Sequence, residues 1–402
     1  MRRSVLLALP ACAALVALPA LPAAAVVDTQ TWTSASHQWW TSGTWSTGEA
    51  PENGDIVIFP STAYPRSDVN YAVSLAGLQF TGDHLLGSAS GGTITLTGSG
   101  GEALSVAGDP DPAEVTINVD LATTGTQSWH VAAGNTLTVP TWVTVATDGE
   151  LVLDVDGTMN VSGNINGQVT GLVSKTGSGT VIRTGGSGGA IGGGGLDVRE
   201  GEFLLDEVSL GTAFQTTGGT LSGDGVVDSI TATSGVIAPS DAAADPIGIL
   251  VGAHGVALNG GSYVASIDGD TLTSDYLTGG NGVLSGAGTT LELEVLSTPA
   301  IGDSFEIVGV QFGSIDAAFR LLAPAGDTLD EGDEFVSGGG LWSISYADVV
   351  TVTYLGLPPV TPEEDDELAE TGVDDTLFAG LAAGAVLLTV GGLALALRRR
   401  HV

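Results

Sequence analysis

Short runs of alternating apolar and polar residues, each ended by Gly, Asn or Asp, succeed one another from about Asp28 to Leu355. Asp55-Ile56-Val57-Ile58-Phe59, Thr136-Leu137-Thr138-Val139, Glu150-Leu151-Val152-Leu153-Asp154-Val155 and Thr290-Leu291-Glu292-Leu293-Glu294-Val295 are examples. A period of two belongs to a half-buried strand, and no stretch of this region offers an amphipathic helix with caps. The 61 glycines and 16 prolines in 402 residues exclude an ordinary helical domain. Two all-β architectures fit: stacked sandwiches, or a solenoid whose successive coils bury one shared core. More than 300 residues without a linker and few aromatics in the middle favour the solenoid. At roughly 20 residues and about 4.8 Å per coil, it would have about 15 coils and a length near 70 Å. The expected fold is therefore all-β, a right-handed parallel β-helix, with a signal helix before it and a transmembrane helix after it.

Charge narrows the partners. Asp and Glu number 46 against ten Lys and Arg, a formal net charge of −36. Five of the ten bases stand at the ends, leaving Arg66, Lys175, Arg183, Arg199 and Arg320 between. Phosphate recognition rests on Lys and Arg, so nucleic acid and anionic lipid are not expected as partners. With 43% hydrophobic residues the chain has the material for a core, so its charge reads as a soluble, self-repelling surface rather than disorder.

The N-terminus orders Met1-Arg2-Arg3, an apolar run from Val5 to Leu21, and Pro22-Ala23-Ala24-Ala25. This is the charged, apolar and small-residue sequence of a signal peptide cleaved after Ala25. Cys12, the one cysteine, would leave with it, so disulfides and cysteine-ligated metals are not expected in the mature chain. Reading Leu9-Pro10-Ala11-Cys12 as a lipobox fits less well, because the apolar run continues past the cysteine.

At the other end, Pro358 to Glu367 is rich in proline and acid, followed by Leu368-Ala369-Glu370-Thr371-Gly372, an uncharged segment from Thr376 to Leu397, and Arg398-Arg399-Arg400. The 22 residues of that segment would span about 33 Å as a helix, enough for a bilayer core, with the arginines held in the cytoplasm. Motif, span and tail in this order resemble a cell-wall sorting signal. Ala369 stands where the usual motif has proline, and it resembles the alanine variant read by the class E sortases of high-GC Gram-positive bacteria. The resemblance implies cleavage between Thr371 and Gly372 and transfer of the Thr371 carbonyl to a peptidoglycan amine, so sortase and peptidoglycan are the implied partners. Localisation would be the cell wall and surface, with a transient membrane stage.

Gly171-Leu172-Val173-Ser174-Lys175-Thr176-Gly177-Ser178-Gly179-Thr180-Val181-Ile182, followed by Leu196-Asp197-Val198-Arg199-Glu200-Gly201-Glu202-Phe203-Leu204, resembles the autotransporter-associated β-strand repeat. Leu221 to Val226, Gly235 to Ser240, Ser274-Asp275-Tyr276-Leu277 and Ile301 to Val308 are similar to the closing coils of such passengers, and Trp342 to Tyr346 with Val349 to Val352 to the cap behind them. The resemblance covers about residues 170–355 and implies the passenger architecture alone, since a sorting signal stands where those proteins carry a translocator.

Trp32, Trp39, Trp40 and Trp45 precede Gly48-Glu49-Ala50-Pro51, which resembles the Trp-rich lead-in of secreted β-solenoids. These indoles could stack sugars or, the preferred reading, seal the open end of the core.

Catalytic chemistry is sparse. The mature region has His37, His84, His130 and His254, dispersed. Gly185-Gly186-Ser187-Gly188-Gly189 has the spacing of a nucleophile elbow inside a glycine run that offers no strand-to-helix turn. Gly192 to Glu200 approximates a nonapeptide calcium repeat, with Arg199 in the place of its large apolar residue. Glycoside hydrolysis needs two facing carboxylates, and Asp154 with Asp156 or Asp268 with Asp270 have the spacing that sets two on one strand face. Solvated turn or strand-edge acids are the simpler account of both.

The expected organisation is a signal peptide (1–25), Trp-rich cap (26–60), solenoid (61–296), C-terminal β cap (297–356), Pro/acidic linker (357–367) and sorting signal (368–402). The expected function is that of a non-enzymatic wall-anchored adhesin or display module with an unknown surface or glycan ligand, without cofactor or metal. The alternative is a wall-anchored polysaccharide-degrading enzyme on the same scaffold.

Overall fold

A computed structural model describes residues 28–359, apart from 34–36, 89–90, 99–100, 147–148, 168–170, 186, 190–193 and 241–245. The chain divides into one unit up to Pro358 and a second from Pro359 onward. The expected signal and transmembrane helices lie outside the described residues. Among those residues the secondary structure is β-strand except for one 3-10 turn, Ser42–Thr44, and no helix is long and apolar enough to cross a membrane.

Strands follow one another around three faces and, up to Arg320–Leu322, pair in parallel with strands of the neighbouring coils, apart from Thr273–Ser274, which turns back antiparallel. The first face runs from Thr29–Thr31 through Ile56–Phe59, Glu102–Val106, Glu150–Val155 and Leu196–Val198 to Ser314–Ile315. The second runs from Arg66–Val69 through Glu114–Asn118, Thr158–Val161 and Glu202–Leu210 to Arg320–Leu322. The third begins as a five-stranded sheet, Val73–Leu75, Thr93–Leu96, Asp120–Thr123, Val143–Val145 and Ile165–Gly167. From Ser187–Gly189 on, longer strands such as Ala213–Val227 bend across the corners and join the faces into one sheet. This long parallel arrangement is consistent with the expected solenoid.

Alternation explains why the coils hold. On the first face Leu78, Leu104, Trp129 and Leu153 are successive register partners, and all are buried. Val115, Leu137, Met159, Val181 and Phe203 do the same on the second, and Ile94, Leu121, Val143 and Ile165 on the third. Every other residue thus enters one continuous apolar column, while the intervening polar residues face outward.

Glycine marks the corner between the first and second faces. A Cβ on Gly201 would sit 2.4 Å from the carbonyl oxygens of Gly177 and Gly179 and 2.7 Å from Lys175 Nζ, and its φ of +62° is a region that other residues avoid. Only a residue without a side chain lets the backbones stack that closely.

Both ends of the stack are covered. At the N-terminal end Thr33 and Ser46 donate backbone bonds to Thr44 and Thr31, covering the edge of Thr29–Thr31, while Gln38 bridges to Asp68 on the second face. Ser74 and Ala76 on the third face donate to Asn53 and Asp55. At the C-terminal end Ser304–Gly309 pairs antiparallel with Val350–Gly356, which pairs with Gly340–Tyr346 and so with Glu334–Ser337. Covered edges remove the template on which strands of other chains would add.

Candidate functional site

The residues expected to carry processing, Ala25 and Leu368, Ala369, Glu370, Thr371 and Gly372, lie outside the described residues. The chemistry within the described body starts with its two carboxylate pairs. Asp154 points outward from the first face, with Oδ2 3.0 Å from Nδ1 of His130, its register partner, and Oδ1 accepting from the Thr176 hydroxyl at 3.4 Å. Asp156, exposed at the following corner, accepts from the Ser178 amide at 2.8 Å and hydroxyl at 3.0 Å. The Ser178 amide and hydroxyl hold the Asp156 carboxyl below the usual range.

Asp268 and Asp270 belong to a turn that brings Thr273–Ser274 back against Ser262–Asp268. Asp268 accepts from the Ser297 hydroxyl, from the Thr271 hydroxyl at 2.7 Å and from the Asp270 amide at 3.0 Å. These donors, Ser297 foremost, lower its pKa. A glycosidase general acid needs a carboxyl whose pKa is raised so that it holds a proton near neutral pH. Asp156 and Asp268 are shifted the other way, and their donors are those of turns and rungs.

The other sequence candidates resolve into backbone. Ser187–Gly189 is a short strand on the third face, with Ser187 in register with Ser209, and no helix follows it among the described residues. Arg199, in the calcium-like stretch, donates from Nε to Asp197 at 2.8 Å and reaches Glu150 through Nη2 at 2.9 Å. It therefore neutralises the acids nearest to it. Among the described residues no three His, Cys, Asp or Glu side chains converge as a metal site.

Of the four N-terminal tryptophans, Trp32, Trp39 and Trp45 are buried and Trp40 is 42% exposed. Trp45 meets Trp32 and Trp39 edge-on at 4.8 and 5.0 Å, and all three face Phe59, which stacks on Phe80 at 4.9 Å. Three indoles thus close the first coil and are withdrawn from any ligand.

Two cations sit inside the core, where sequence patterning had no place for them. Lys175 is fully buried, and its Nζ lies 2.7 to 3.3 Å from the carbonyl oxygens of Val155, Thr176, Gly177 and Glu200. Burial pushes its pKa down to about 8, against the pull of Asp154, Asp156, Glu200 and Glu202. The Lys-Thr-Gly phrase thereby acquires a structural role, since the ammonium ties together carbonyls of neighbouring coils. Arg183 donates from Nη1 to the carbonyl oxygens of Val161 and Thr184 at 3.0 and 2.5 Å, and burial lowers its pKa. Asp275 is the acidic counterpart: buried, with its pKa raised by desolvation, it accepts from the amides of Gly248 and Ser266 at 2.8 and 2.9 Å.

One outward residue departs from its surroundings. Trp142, at the start of Val143–Val145 on the third face, is 55% exposed, whereas Trp129 and Trp342 are buried. Its signal in the sequence was the alternation Thr141-Trp142-Val143-Thr144-Val145, which assigns the indole to the same side as Thr144.

Compared with known proteins, the chain matches no family model and no curated protein.

Proposed function

We propose that this is a cell-wall surface protein, secreted through an N-terminal signal peptide and joined through Thr371 to peptidoglycan. Its acidic body is read as a right-handed parallel β-helix, the crossover hand that parallel strands adopt, serving as an adhesin or display module. The observation that carries this reading is the order of Leu368-Ala369-Glu370-Thr371-Gly372, the uncharged Thr376 to Leu397 segment and the arginine tail. The body supports it as a scaffold, because both ends of the stack are covered and its side faces present ordered rows of side chains. Pro358 to Glu367 acts as a short stalk of about ten residues, which at about 3.1 Å each reaches some 30 Å. Fractionating cells into muramidase-released wall and detergent-soluble membrane tests the reading. The mature chain is expected in the wall, and its recovery wholly in detergent would defeat the anchoring.

A further inference from the structure

An indole left more than half exposed on a regular sheet forgoes burial that every neighbouring strand achieves with its inward residues. Trp142 does so beside a row of small, uncharged side chains. Along the third face the row outward at Thr144 consists of Ser74, Thr95, Ala122, Thr144 and Asn166. In the row of Trp142 itself, Asp120 precedes it and Asn164 follows, as neighbours in the ladder. The Trp142 amide donates to Asp120 Oδ1 at 3.3 Å, which fixes the carboxylate beside the ring. Asn164 Oδ1 lies 3.5 Å from Nη2 of the buried Arg183, which engages that side chain from the core side.

We propose that this face binds a neutral glycan chain, with one sugar ring stacked on the Trp142 indole and its hydroxyls bonded by Asp120. An aromatic face takes the C–H side of a pyranose, while the carboxylate accepts from hydroxyls. Small side chains on the adjoining row leave room for further sugars along the ladder. The choice of a neutral chain follows from charge: Asp120 stands beside the ring, and the whole chain carries −36. Anionic polysaccharides would be repelled. The inference rests on the surface-display reading only in requiring that this face be presented to the outside.

The test is calorimetry on the full chain in a non-glycosidic detergent. Cellohexaose, mannohexaose and laminarihexaose serve as neutral probes and hexagalacturonate as the anionic one. At least one neutral hexasaccharide is expected to bind and hexagalacturonate is not. Trp142→Ala should weaken binding at least about tenfold, Trp142→Phe should restore most of it, and Trp40→Ala, at the covered N-terminal end, should leave it unchanged. Because Trp142 points outward, melting curves of the variants should overlay the parent's and separate lost binding from lost folding. Binding of none of the neutral probes, equal binding by Trp142→Ala, or preference for hexagalacturonate would overturn the assignment. So would self-association that Trp142→Ala abolishes, which would make the face a contact between copies. Cell fractionation keeps the two readings apart: Trp142→Ala should stay in the wall, and a chain that binds glycan without reaching the wall would sink the anchoring alone.

Discussion

His84 Nε2 lies 2.9 Å from Ser67 Oγ, and both side chains are closed off from solvent in the coil beneath the tryptophan cap. The imidazole also packs on Phe59, with ring centroids 4.2 Å apart. Burial without a carboxylate partner pushes its pKa down to about 3, from an ordinary value of 6.5.

That shift makes the N-terminal coils sensitive to acid. Below pH 6.5 the unfolded chain takes up a proton that the folded chain refuses until about pH 3, so stability falls as pH falls through this window. Between about pH 7.5 and about pH 5 the loss should be about 2 kcal/mol. Thermal melts of wild type and His84→Leu at both pH values check it through the difference between their pH slopes. Equal slopes would show that His84 is not held neutral.

Lys175 fills a core position that an aliphatic side chain occupies in adjoining coils, since its register partners are Leu153 and Val198. Lys175→Ala leaves a void and removes the donor shared by four carbonyls. The expected loss is about 3 kcal/mol or more in a denaturant titration. Lys175→Met keeps the stem without the donor and should fall between the two.

Trp45 Nε1 donates to the Trp39 carbonyl at 2.7 Å, so the cap is tied by a hydrogen bond as well as by ring contacts. Trp45→Ala is expected to destabilise by about 3–5 kcal/mol. Because solenoid coils contact mainly their neighbours, hydrogen exchange should rise first at Thr29–Thr31 and Ile56–Phe59 and later further along. Uncovering the edge should also promote self-association, read by light scattering.

The strands were legible because alternation is local. Glu150–Val155 and Thr136–Val139 show it within six and four residues, and both are strands with their apolar members inside. Glycine signalled the turns for the same reason. The three-faced arrangement was not legible, because it depends on partners about 20 residues away, and so do the oxygens that satisfy a buried charge. Nothing local therefore marks Lys175 and Arg183 as core residues, although Val155 and Val161, one coil earlier, each supply a carbonyl to them. The carboxylate pairs show the limit of spacing alone. Asp268 and Asp270 have the spacing of a strand-face pair, but the chain turns there, and Ser297 from the following coil occupies the first of them. Trp142 shows that alternation reports which side a residue faces, while its use depends on the neighbours the ladder supplies.

The anchoring claim depends on one carbonyl, that of Thr371, and the most direct measurement compares wild type with Thr371→Ala in cells separated into muramidase-released wall and detergent-soluble membrane. The wild-type chain should appear in the wall fraction, bearing peptidoglycan fragments on a C-terminal Thr371 by mass spectrometry. Thr371→Ala should stay in the membrane with residues 372–402 still attached. Wild type retained in the membrane with that segment intact, or Thr371→Ala found in the wall, would contradict the account.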